Sequence, residues 1–252
     1  MRNQRIELIK KYIEDEKNVS LDKLCEIFKV SKNTIRRDIN ELENLGFVKK
    51  VYGGVTLNSQ SEIRPLLPYR ERYVQNKAEK EHIAKLASEL VLDDDIIFID
   101  TGTTCCSLID YIGNKKCTVI TNSMRVCLSA MQYSSLKVIV LPGVLKRETM
   151  SFISSDRLNY LEDFNITKAF MTCTGVTVEN GLTNASEEEY WVKKAAVENS
   201  KSCFLLADHS KFGKFSLMTF CKLKDIDNII TDEPLNEEIK KYCKDNQIKI
   251  SY

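Results

Sequence analysis

The chain has 252 residues, 43% of them hydrophobic, enough to bury a substantial core. Its 37 basic and 36 acidic side chains leave a net charge of +1, which excludes a uniformly basic nucleic-acid coat, so any DNA-binding surface must be local. No apolar run reaches the roughly 18–20 residues that a membrane helix needs, and no secretory apolar segment opens the chain; a soluble cytoplasmic protein without membrane contact is expected.

Ile6, Ile9 and Ile13 fall on one face of a first predicted helix. Leu21, Leu24, Cys25 and Phe28 repeat at helical spacing for a second, which Ser20 is placed to cap. A break at Lys29-Val30 follows. Ser31 then caps a third helix with Ile35, Ile39 and Leu42 on its inner face and Gly46 at its end. At about 100° per residue, Asn33, Arg37, Asn40 and Asn44 lie opposite that stripe, with Arg36 on its flank and Lys32 near its start. Amides and guanidinium groups are the donors that reach base edges and phosphates in a major groove. Two short helices, a tight turn and an Arg-bearing third helix have the order of a helix-turn-helix.

After Gly46 the run Phe47-Val48-Lys49-Lys50-Val51-Tyr52 meets Gly53-Gly54 and then Val55-Thr56-Leu57, which predicts a hairpin acting as a wing. Lys49 and Lys50 would lie along adjacent phosphates. The alternative is an amphipathic three-helix bundle with a solvated charged face. The combined order of short helices, tight turn, Arg-bearing third helix and basic Gly-Gly hairpin favours the first reading, and a modest charge asymmetry has the right sign: the chain up to Leu57 carries 12 basic and 9 acidic residues, the remainder 25 and 27.

Polar residues from Asn58 to Glu62, then Pro65 and Pro68, read as a linker over 58–75 between a head, 1–57, and a body, 76–252. In the body a helical pattern over Asn76–Val91 precedes short continuous apolar runs at 96–99, 119–120, 138–141, 169–171, 203–206 and 229–230, alternating with helix-like stretches. That alternation predicts an α/β domain with a Rossmann-like parallel sheet covered on both faces, whose ligands sit at the carboxyl ends of the strands. Three strand ends there are polar. Asp100-Thr101-Gly102-Thr103-Thr104 enters a helix, where Gly permits close approach and hydroxyls and amides suit an anion. Thr121-Asn122-Ser123 ends the next strand, and Asp208-His209-Ser210-Lys211 a later one. Such loops also serve as plain helix caps, but three on one edge point to a pocket. Asp208 suits hydroxyls, and Lys211 a phosphate.

Nine cysteines are present, an odd number without a C-x-x-C pair, and the two histidines, His82 and His209, are far apart. Reduced thiols are expected, with no metal site and no cofactor.

The run Val30-Ser31-x-x-Thr34-Ile35-Arg36-Arg37-Asp38-Ile39, then Glu41-Leu42, Gly46 and Tyr52-Gly53-Gly54, resembles the signature of the DeoR family of bacterial transcription regulators. The family usually has histidine at the Tyr52 position. Tyr69-x-x-Arg72-x-x-x-Asn76-x-x-Glu79-Lys80 resembles the family's inter-domain segment, and the likeness runs to about residue 234.

The resemblance implies a repressor of carbohydrate genes, released by a phosphorylated sugar or related metabolite held in a body that resembles the ribose-5-phosphate isomerase fold. It adds Gly143 and Lys193 to the candidate ligand residues. Three departures fall in that half: Pro142-Gly143 for Gly-Gly, Thr172-Cys173-Thr174-Gly175 for Gly-Ala-Asp-Gly, and, in the Glu188/Glu189/Lys193 helix, Trp191 for an acidic residue. They leave the ligand's class open. An enzyme is the rival reading, but Thr174 stands where an isomerase base would be, and the Glu187-Glu188-Glu189 run reads as a solvated helix start. A third reading is a body that only oligomerises. A dimer or higher homo-oligomer on double-stranded operator DNA is expected, because one head offers little contact area and palindromic half-sites match two-fold pairing.

Overall fold

The computed structural model describes residues 2–44, 47–51, 53–57, 67–154 and 160–252; Gly46, Tyr52 and residues 58–66 of the expected linker lie outside this set. The chain divides into two units, Met1–Pro65 and Leu66–Tyr252.

In the first unit, α1 (Arg2–Glu16), β1 (Asn18–Ser20), α2 (Leu21–Phe28), α3 (Lys32–Asn44), β2 (Val48–Val51) and β3 (Gly54–Leu57) follow in order. The isoleucine stripes close one core: Ile6, Ile9, Ile13, Leu24, Ile35, Ile39 and Leu42 are buried with Val48 and Val55. Each such side chain contributes about 1.5–3 kcal/mol of apolar burial. Ser20 caps α2 by accepting from the Lys23 amide at 3.1 Å, and Lys29 turns the chain in a left-handed conformation at φ 51°. Ser31 Oγ accepts from the Thr34 amide at 3.3 Å at the start of α3.

The wing is an antiparallel pair with Lys49 opposite Thr56 and Lys50 opposite Val55. A third strand, β1, completes the sheet in the order β1-β3-β2. Three residues are too short to show alternation, so no local pattern announces it. Gly54 is a strand residue pressed on β1: a Cβ there would lie 2.6 Å from the Val19 carbonyl oxygen.

The second unit begins inside the expected linker. There α4 (Tyr69–Val74) is helical and packs on the body through the buried Tyr69, whose hydroxyl meets Cys106 Sγ at 3.3 Å. Then follow α5 (Lys77–Ser88), β4 (Ile96–Ile99), α6 (Thr103–Ile112), β5 (Thr118–Thr121), α7 (Met124–Ala130), β6 (Lys137–Val140), β7 (Val144–Lys146), β8 (Ser151–Ile153) and β9 (Ile166–Met171). The chain continues through β10 (Gly175–Thr177), β11 (Gly181–Asn184), α8 (Glu187–Glu198), β12 (Ser200–Leu206), β13 (Met218–Cys221), β14 (Asn228–Ile230), α9 (Glu237–Asp245) and β15 (Lys249–Ser251).

Seven strands form one parallel sheet in the order β15-β14-β12-β9-β4-β5-β6. Alternate residues feed two cores. Ile97, Ile99, Phe170 and Phe204 pack with residues of α5 and α6, while Phe98, Met171 and Leu205 pack with those of α8 and α9. Succession starts at β4, runs outward to β6, and returns to β9 on the other side of β4. The strand order therefore reverses between β4 and β9, the position where open α/β sheets form a crevice at their carboxyl ends. The sequence reading missed the antiparallel sheet β10-β11-β13 and the hairpin β7–β8, which lie outside the alternating pattern.

Candidate nucleic-acid interface and ligand site

Ser31, just before α3, and Lys32, Asn33, Arg36, Arg37 and Asn40 on it are exposed, and Thr34 is half-buried. Lys49, Lys50 and Gly53 are exposed on the wing, Gly54 is buried against β1, and Tyr52 lies outside the described residues. Two of the cations are already engaged: Lys32 Nζ lies 2.6 Å from Asp22 Oδ1, and Lys50 is paired with Glu43. Exposed pairs of this kind are weak, so phosphates can displace the carboxylates. The outward reading missed Asp38. It is buried, and Arg5 of α1 grips it from across the unit.

At the carboxyl edge of the large sheet, Asp100, Thr101, Thr103, Thr104, Thr121, Asn122, Ser123, Thr172, Glu189, Lys193 and Asp208 are all buried. Such a density of polar groups is stable only where partners satisfy them. Asp100 ends β4 and accepts from the Thr172 amide at 2.9 Å, from Thr172 Oγ1 at 2.5 Å and from Lys193. Lys193 also donates to the Thr172 carbonyl at 3.1 Å. Burial pushes its ammonium down, but Asp100 and Glu189 outweigh that and hold it above the ordinary lysine range. Asp100 thus positions Lys193 through Oδ2, the oxygen that takes all three of these contacts. Gly102 caps α6 where only glycine fits, since a Cβ would lie 2.0 Å from Thr172 Oγ1.

Glu189 is 4% exposed and its Oε1 accepts from Thr101 Oγ1 at 3.0 Å. The expectation of a solvated acidic run is corrected here. Glu187 and Glu188 face solvent, but Glu189 shares the buried face of α8 with Lys193, four residues on. Trp191, two residues past Glu189, falls on the other side of the helix and is 42% exposed. It is not part of this cluster.

Thr121 Oγ1 donates to the Ile99 carbonyl at 2.6 Å, tying β5 to β4. Ser123 caps α7 through the Val126 amide at 3.3 Å. Gly143 stands at the base of the β7–β8 hairpin, where a Cβ would lie 2.4 Å from the Ile153 carbonyl oxygen. Asp208 ends the β12 segment and accepts from Asn76 Nδ2 at 2.9 Å and the Ser210 amide at 3.0 Å. Burial pushes its carboxyl up, but Lys211, Ser210, Asn76 and Lys80 outweigh that and hold it below the usual range. His209, on the same loop, points instead to Asp232, 2.6 Å away.

Sequence reasoning did not mark Arg72 and Lys80 as site residues. Lys80 is buried and its Nζ donates to the Arg72 and Gln75 carbonyls, and burial lowers it to about 8. Arg72 feels the charges of Glu189 and Asp100. Cys105 and Cys106 are buried, and burial pushes both thiols up, away from reactivity.

A family model described as the DeoR-like helix-turn-helix domain matches residues 5–61, and one described as the DeoR C terminal sensor domain matches residues 75–233. The chain belongs to the DeoR family. The HTH-type transcriptional regulator IolR of Bacillus subtilis (strain 168) is 43% identical over 251 residues, covering 99% of both chains. The lactose phosphotransferase system repressor of Staphylococcus aureus (strain NCTC 8325 / PS 47) is 30% identical, covering 96% of this chain and 98% of its own. Ribose 5-phosphate isomerase A from Methanocaldococcus jannaschii is 22% identical over 55% of each chain with a TM-score of 0.41, too distant to carry an argument about chemistry.

As a DeoR-family member the chain is a DNA-binding transcription regulator with a winged helix-turn-helix head and a sensor-type α/β body. Among the described residues, no helix is long and apolar enough to cross a membrane.

Proposed function

We propose that this protein is a cytoplasmic repressor that binds operator DNA as a dimer or higher homo-oligomer and is released by a small phosphorylated metabolite of the sugar class. Two heads place α3 in successive major grooves, with Arg36, Arg37, Asn33 and Asn40 toward the bases and Lys49 and Lys50 on phosphates. The reading draws support from the exposed donor face of α3 and from the relatives whose names call them repressors, one of them of a lactose phosphotransferase system.

The observation that carries the ligand half is the cluster of buried polar side chains at the β4/β9 switch point. Gly102, Thr103 and Thr104 at the start of α6 and Lys211 hold the phosphate. Asn122 and Asp208 hold hydroxyls. Asp100 acts through Lys193. The body has no catalytic role in this account.

A thermal-shift screen of sugar phosphates, other phosphates and unphosphorylated sugars tests it. A compound at about 100 times its dissociation constant stabilises the protein by about 2.7 kcal/mol. Lys211→Ala and Thr103→Val abolish the shift and leave DNA binding intact. An effector whose binding survives both substitutions places the pocket elsewhere. If no small molecule moves stability or operator affinity, the body serves oligomerisation alone.

A further inference from the structure

Asn122 carries the one buried side-chain nitrogen or oxygen, among the described residues, without a hydrogen-bond partner: its Oδ1. The residue is 2% exposed. Its amide orientation is fixed, because Nδ2 donates to the Phe152 carbonyl at 3.2 Å and a flipped amide would set two acceptor oxygens face to face. Oδ1 is therefore an acceptor, buried and in need of a donor. The hydroxyl of the preceding residue is engaged, since Thr121 Oγ1 donates to the Ile99 carbonyl. The parallel register pairs Ile99 with Thr121, so Asn122 stands level with Asp100, on the same face of the sheet and beside the loop that opens α6.

The same amide belongs to the β7–β8 hairpin. The Phe152 amide donates to the Asn122 carbonyl at 2.8 Å, Ser151 bridges Ser123, and the Met124 amide donates to Met150 at 2.9 Å. On the hairpin's other strand Lys146, paired with Ser151, has its Nζ 2.8 Å from Glu188 Oε2 and 3.3 Å from Ser186 Oγ. Glu188 adjoins Glu189, which accepts from Thr101. The hairpin is thus fastened to both segments that flank the Thr101-Gly102 loop, the end of β5 on one side and the start of α8 on the other.

We propose that the β7–β8 hairpin is a wall of the ligand site, and that Asn122 joins ligand to wall, accepting a hydrogen bond from a ligand hydroxyl at Oδ1 while Nδ2 holds the hairpin. The inference rests on the small-molecule reading of this edge. It narrows the ligand to one with a hydroxyl donor at that end, because a carboxylate, phosphate or ketone oxygen would face Oδ1 with a second acceptor. Occupancy steadies the amide and, through it, the hairpin.

Hydrogen–deuterium exchange on the full-length protein tests this, with ribose 5-phosphate, glucose 6-phosphate and glycerol 3-phosphate as probes. A probe that slows exchange at residues 100–104 also slows it at 144–153. In Asn122→Ala the probe still protects 100–104, with affinity weakened about threefold to tenfold, the worth of one neutral hydrogen bond, and no longer protects 144–153. The variant Lys146→Gln speeds hairpin exchange without probe, and the probe partly restores it. Protection of 100–104 with none at 144–153, in wild type or Lys146→Gln, overturns the proposal while leaving the ligand site standing. So does an Asn122→Ala protein that folds and keeps both affinity and hairpin protection. Failure of every probe to protect either segment removes the strand-end reading itself, and this proposal with it.

Discussion

Arg5 on α1 holds Asp38 on α3 by a fork of two hydrogen bonds, Nε to Oδ2 at 2.7 Å and Nη2 to Oδ1 at 3.2 Å. Asp38 is 1% exposed, between Arg37 and the core residue Ile39. A planar two-point contact fixes the rotation of α3 about its axis, which a single contact would not. Arg5→Ala therefore lowers stability, because the buried Asp38 carboxylate loses the fork, and weakens specific DNA binding more than non-specific binding. Arg5→Lys restores the charge without the fork and recovers only part of each. Thermal melts and binding to specific and random duplexes check this; equal loss on both duplexes would assign Arg5 a purely electrostatic part.

The wing lysines act on phosphates. Lys49→Gln with Lys50→Gln lowers affinity for specific and random DNA alike and flattens the dependence of log K on log salt by about 0.9 per lost contact. Glu43 pairs with Lys50, and that lysine is the main reason its carboxyl lies below the usual range. Glu43→Gln releases Lys50 and raises non-specific affinity. A changed base preference with an unchanged salt slope would mean the wing reads sequence instead.

Lys193 and Asp100 form a pair almost wholly removed from water, with side chains 4% and 2% exposed. Removing one partner strands the other charge. Lys193→Met is expected to cost about 3–5 kcal/mol, and adding Asp100→Asn to recover a substantial part. Chemical denaturation of the two variants and wild type measures it. A double variant less stable than the single one would show that Asp100 is held mainly by Thr172.

His209 and Asp232 give a pH-dependent link. The carboxylate 2.6 Å away raises the imidazole above its ordinary 6.5, against the smaller effect of burial. A raised group contributes its stability fully below the unfolded value of 6.5 and loses it as pH rises through the folded value. Wild type therefore loses an increment of stability as pH rises above 6.5 that His209→Gln lacks. Parallel melting profiles for the two across that range would contradict the assignment.

How much of this was legible beforehand depended on what local pattern encodes. The Ile6/Ile9/Ile13 and Ile35/Ile39/Leu42 stripes announce helices because a periodicity of 3.6 is local, and runs such as 96–99 announce buried strands. Strand order is not local: nothing near Ile99 says that its second neighbour is β9, so the switch point emerged only in three dimensions. Glu189 was obscured by two solvated neighbours, although its spacing to Lys193 was a readable sign of a shared face. Asp38 looked like one more polar residue on α3; its partner lies 33 residues away, and no periodicity links them. The β7–β8 hairpin has strands of three residues, below the length at which alternation can be seen.

The exposed face of α3 is proposed to read DNA. Footprinting and titration at fixed salt on genomic fragments selected by the purified protein test it most directly, comparing wild type with Arg36→Ala/Arg37→Ala. Wild type should protect paired half-sites separated by whole helical turns. The double variant should melt like wild type and lose several kcal/mol of specific binding, at roughly 1–3 kcal/mol per base contact. A folded double variant that protects the same sites with the same affinity would show that α3 is not the reading helix.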